Sequence, residues 1–138
     1  MQPFVFNTVP QLICRPGSAL DLAESCQRLG IRQPLLVTDP GLMAIGLVQP
    51  VQAALEAAGV PVVLYDQVRE DPPEATVEAA AALGRAAAVD GVIALGGGSS
   101  MDVAKVVAAL LAGSQPLQAL YGVDQISGGR LPLILVPT

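Results

Sequence analysis

Three glycines stand in a row at Gly96, Gly97 and Gly98, followed by Ser99, Ser100 and a stretch carrying Asp102 and Lys105. They come directly after the apolar run VIAL at 92–95, where a strand gives way to a helix. Glycine lets the backbone take positive φ, and it lets a ligand approach without a Cβ in the way. The helix that starts near Ser99 offers unpaired N–H groups and a positive dipole end, a combination that suits an anion such as a pyrophosphate. A tight strand-to-helix turn is the alternative, but one glycine usually serves that purpose and three exceed it. Ser99 and Asp102 have the S-x-x-D spacing of a capping box, so Asp102 either caps the helix or stands as a carboxylate beside a bound ligand. Lys105, one turn further on, is better placed to pair with Asp102 than to reach a phosphate. The loop matches neither standard nucleotide fingerprint: G-x-G-x-x-G begun at Gly96 meets Met101 at its third glycine, and no G-K-[ST] follows. The chain has no histidine, which closes off imidazole acid/base catalysis, Ser-His-Asp triads and His-ligated metals within these residues.

The elements that must position this loop follow from the pattern of apolar runs. PLLVTD (34–39), VPVVLY (60–65), GVIAL (91–95) and LPLILVP (131–137) read as buried strands. Between them lie helical stretches at 50–58, 74–89 and 99–112, and an earlier one, ALDLAESCQRL, at 19–29. Ser18 is the expected N-cap of that first helix, with Asp21 in its first turn and Gly30 as its stop; Gly59 stops the next. Asp39-Pro40 reads as an N-cap followed by proline at the first helical position. FVF and QLIC, split by NTVP, read as a short N-terminal hairpin. DQVREDPP (66–73) is a loop, and 113–130 is a Gly/Ser/Pro-bearing connector. Continuously apolar strands separated by helices describe an α/β fold, a parallel sheet covered by helices on both faces.

A length of 138 residues suits one domain with one core, and a hydrophobic fraction of 52% supports folding. Charged residues make up only 14%, which points to surface hidden against another domain or subunit. The net charge is −5 and the seven basic residues are scattered, which argues against nucleic acid or an anionic membrane as partner. No apolar run approaches the roughly 20 residues of a membrane span, and the N-terminus lacks the form of a signal peptide. Cys14 and Cys26 make neither a disulfide framework nor a metal-ligand pattern, so a reduced, cytoplasmic setting is expected.

The segment GGGSSMDVAK resembles the GGGSxxDxAK loop of the iron-containing (group III) alcohol dehydrogenases, a family that includes maleylacetate reductases. LLVTDPGLMAIGLVQPVQAALEAAGV is similar to that family's first strand-and-helix segment, and LPLILVPT to the strand that enters its PTTAGTGSE segment. The three motifs occur in family order across essentially the whole chain. The resemblance implies a Rossmann-like NAD(P)-binding N-terminal domain over residues 1–138, with the family's all-helical, metal-binding domain absent. Residues 1–138 are therefore expected to be a fragment of a longer two-domain enzyme that supplies cofactor placement with little turnover of its own.

The resemblance also implies site residues. Gly97, Gly98 and Ser99 would hold the pyrophosphate, with Asp102 near the nicotinamide ribose and Thr138 near the cofactor. Asp39 would accept hydrogen bonds from the adenosine ribose and repel a 2′-phosphate, favouring NAD over NADP; this sits beside its capping role. No catalytic residue and no metal ligand is carried over, because the iron or zinc of the intact enzyme belongs to the missing domain. Where the family has Asn-Pro this chain has Asp71-Pro72, so Asp71 is left as a solvated loop acid. The implied substrate is a small alcohol or its aldehyde or ketone, and the family habit is a homodimer. The alternative is a stand-alone, non-catalytic nucleotide-binding module.

Overall fold

A computed structural model describes residues 2–122 and 124–138. Its central sheet has four strands among the described residues, all parallel: β1 (Pro34–Val37), β2 (Val63–Tyr65), β3 (Gly91–Gly96) and β4 (Leu133–Pro137), in the order β2-β1-β3-β4. The helices are α1 (Leu22–Leu29), α2 (Pro40–Ala44), α3 (Val48–Ala57), α4 (Glu74–Ala86) and α5 (Gly98–Ala112). Successive strand residues point to opposite faces, and here both faces are apolar. Leu35, Val37, Val92 and Ala94 pack with residues of α4 and α5 on one side. Leu36, Ile93 and Leu95 pack with residues of α1 and α3 on the other. Two-sided burial is why these strands lack the polar alternation of a solvated sheet.

The chain runs outward from β1 to β2, then crosses back over β1 to place β3 on its other side. The carboxyl ends of β1 and β3 thus form a topological switch point, where open α/β sheets leave a crevice. Two polar ties hold this part of the sheet. The buried Thr38 hydroxyl donates to the Leu95 carbonyl at 2.7 Å, joining the carboxyl ends of β1 and β3. At the opposite edge the Asp90 carboxylate accepts from the backbone N–H of Arg32 at 2.9 and 3.0 Å and from that of Gln33 at 2.8 Å. Asp90→Ala removes the acceptor for both groups and is expected to cost about 1–3 kcal/mol, seen as a lower urea midpoint with an unchanged m-value.

Several local expectations need correction. No strand precedes Pro34 among the described residues, so the N-terminal hairpin is not formed. Phe4, Val5 and Phe6 are 77%, 86% and 79% exposed. A two-stranded hairpin has little stability by itself, and the β2 and β4 edges of the sheet are not paired with this segment. Ser18 does not cap α1: Gly17, at φ 76, leads into one 3-10 turn over Ser18–Asp21, and α1 starts at Leu22. Asp21 pairs instead with Arg15 at 2.8 Å. The second strand is shorter than its apolar run, because its only partner is the four-residue β1 and pairing spans just Val63 to Tyr65. A 3-10 turn at Leu117–Leu120 lies within the connector and buries Leu117.

Candidate functional site

The residues at the switch point line a cleft of about 470 Å³. Asp39 follows the end of β1, Gly97 joins β3 to α5, Gly98 and Ser99 open α5, and Arg69 and Glu70 come from the loop after β2. Asp39 is held in place by its own helix: its Oδ1 accepts from the Leu42 N–H at 3.0 Å, with Pro40 at the first position of α2. The expected cap is therefore formed. A carboxylate has about four acceptor sites, so acceptor capacity remains for a ligand hydroxyl.

The three glycines do not do the same work. Gly96 is required by the fold: its φ is +157, and a Cβ there would lie 2.7 Å from Ser100 Oγ and 2.9 Å from Ser100 Cβ. Gly97 and Gly98 are required by neither strain nor crowding. Gly97 has φ −83, both avoid the left-handed region, and a Cβ on either would meet no protein atom within 4 Å. The space a side chain would fill stands open in the cleft. Beside it lies the start of α5, whose first-turn N–H groups have no intrahelical acceptor and receive no side-chain cap. Backbone donors plus room for close approach suit a pyrophosphate.

The capping-box expectation fails here. The N-cap of α5 is Gly97, so Ser99 is the second helical residue and Asp102 the fifth, both out of position for the motif. Asp102 is exposed and pairs with Lys105 at 3.2 Å, as expected of that lysine. Neither Asp102 nor Thr138 lines the cleft. Thr138 lies beyond β4, its N–H donating to the Gly96 carbonyl at 3.2 Å. Asp71 is an exposed loop acid at φ 47. Arg69 and Glu70 were missed by the sequence reading, which saw a loop. Their signal was a charged pair in the loop that follows a strand of a parallel sheet.

Other reactive groups are inert or remote. Cys26 is fully buried, and burial, with a smaller contribution from Asp90, pushes its thiol up to about 11, so it carries no thiolate near neutral pH. Among the described residues no group of three or more His, Cys, Asp or Glu comes together to hold a metal ion, and no helix is long and apolar enough to cross a membrane.

A family model for iron-containing alcohol dehydrogenases matches residues 10–138. The chain belongs to this family. It is 40% identical over 126 residues to a 4-hydroxybutyrate dehydrogenase of Cupriavidus necator, covering 88% of this chain and 32% of that protein. It is 31% identical over 135 residues to a sulfoacetaldehyde reductase of Bilophila wadsworthia, covering 98% and 35% respectively. Among solved structures, the NADH-dependent butanol dehydrogenase A of Thermotoga maritima superposes with a TM-score of 0.89 at 28% identity, covering 100% of this chain and 35% of that one. The chain thus spans about a third of the length of these relatives. Its four-stranded α/β architecture matches the Thermotoga structure.

Proposed function

We propose that residues 1–138 are the dinucleotide-binding domain of an NAD(P)-dependent oxidoreductase that interconverts a small alcohol and its carbonyl compound. The observation that carries this reading is the open space at Gly97 and Gly98 against the uncapped start of α5. The first-turn N–H groups of α5 hold the pyrophosphate, with Ser99 beside them, and Asp39 accepts the adenosine ribose hydroxyls across the cleft. Asp102 and Thr138, outside the cleft lining, serve the nicotinamide side. The NADH dependence named for the Thermotoga relative supports a nicotinamide cofactor. Bound there, the nicotinamide would supply hydride chemistry, and a divalent metal, iron or zinc, held elsewhere in the intact enzyme would supply Lewis-acid polarisation of the substrate oxygen. We assign the metal to protein outside residues 1–138. The cytoplasm is the compartment we assign.

Binding measurements with both dinucleotides test the reading. Asp39→Gly removes the carboxylate that repels a 2′-phosphate, and an Asp-to-Gly change at an N-cap costs only a few tenths of a kcal/mol. The NADP/NAD affinity ratio is expected to rise roughly tenfold, about 1.4 kcal/mol. An unchanged ratio in calorimetric titrations rejects the role given to Asp39.

A further inference from the structure

Arg69 is the one basic side chain that lines the cleft among the described residues. It makes no ion pair and no hydrogen bond there, although Asp39 and Glu70 line the same cleft. Among the described residues the ion pairs that form, Arg15–Asp21 and Lys105–Asp102, lie elsewhere. The backbone that presents Arg69 is pinned: Val68 is 1% exposed, and its N–H donates to the Thr38 carbonyl at 3.3 Å, one residue before Asp39. An unpartnered guanidinium is therefore presented by the loop after β2, the strand adjacent to β1, in the cleft that Asp39 also lines.

We propose that Arg69 reads the adenosine 2′-phosphate, so that the cleft accepts NADP as well as NAD despite Asp39. This rests on the dinucleotide reading of the cleft and goes beyond it by naming a second residue that sets cofactor choice. The planar fork of arginine matches phosphate oxygens in bidentate fashion, and an arginine near the ribose acid is a known way for a Rossmann-like site to admit a 2′-phosphate. Asp39 and Glu70 together would otherwise reject a dianionic group. Among the described residues Arg69 supplies the one opposing charge in the cleft lining.

The test compares NAD with NADP, and 5′-AMP with 2′,5′-ADP, by calorimetry on the parent protein, Arg69→Ala and Arg69→Lys. Arg69→Ala is expected to weaken NADP and 2′,5′-ADP roughly tenfold or more while NAD and AMP change less than about threefold. Arg69→Lys, which keeps charge and loses the fork, should fall between. A merely structural role for Arg69 would move both members of each pair together. Equal losses for NAD and NADP, or no change in either, overturn the assignment. If the parent protein binds neither dinucleotide, the cofactor reading fails, and this inference with it.

Discussion

Gly98→Val is expected to abolish dinucleotide binding while the protein stays folded. Gly98 is the first residue of α5, where valine is no worse a helix former than glycine. Its Cβ would meet no heavy atom within 4 Å, so the isopropyl group displaces nothing in the protein. Stability should stay within about 0.5 kcal/mol of the parent. The same group fills the space that a pyrophosphate needs to reach the first-turn N–H groups. Losing that approach should weaken NAD by about 100-fold or more, equal to about 2.7 kcal/mol. Calorimetry and thermal denaturation on one preparation separate the two effects. Undiminished NAD binding by Gly98→Val would return the loop to the status of a plain turn.

The elements that carry the cleft were legible because the sheet is covered on both sides. Leu35, Leu36 and Val37 are all fully buried, as are Val92, Ile93 and Ala94, so each strand shows as an unbroken apolar run. Helix stops were legible too, since Gly30 at φ 73 and Gly59 at φ 82 take the left-handed conformation that glycine tolerates best. Asp39 was legible as a cap because an acid followed by proline suits a helix start, although Asp71-Pro72, with the same pair, caps nothing.

What escaped the sequence depends on partners or on a single-residue shift. The N-terminal FVF and QLIC have strand-like composition, yet a strand exists only where another strand takes its hydrogen bonds. The capping box at Ser99 and Asp102 fails because α5 begins at Gly98. Arg69 escaped because its nearness to Asp39 comes from the order β2-β1-β3-β4, a long-range pairing that no local pattern encodes. Residues brought together by a crossover are far apart in the chain: Asp39, Arg69 and Gly97 belong to three different strand-to-helix connections.

The opposite outcome is expected two residues earlier, for Gly96→Val. Gly96 is the last residue of β3 and pairs with Pro137 of β4, while its carbonyl accepts from the Thr138 N–H at 3.2 Å. Its φ of +157 is strained for any residue with a Cβ, at about 1–3 kcal/mol. The added Cβ would also lie 2.9 Å from Ser100 Cβ. Ser100 is 2% exposed in the first turn of α5 and cannot swing aside without moving the helix. Overpacking of this kind adds about 1–3 kcal/mol, so the combined loss should be on the order of 2–5 kcal/mol, since the two costs overlap. The urea midpoint should fall accordingly, with binding lost only as a consequence of the displaced loop. Parent-like stability for Gly96→Val would show that the fold does not need this glycine. The separation of one structural glycine from two ligand-facing ones would then be wrong, and the open space at Gly97 and Gly98 would lose the contrast that gives it meaning.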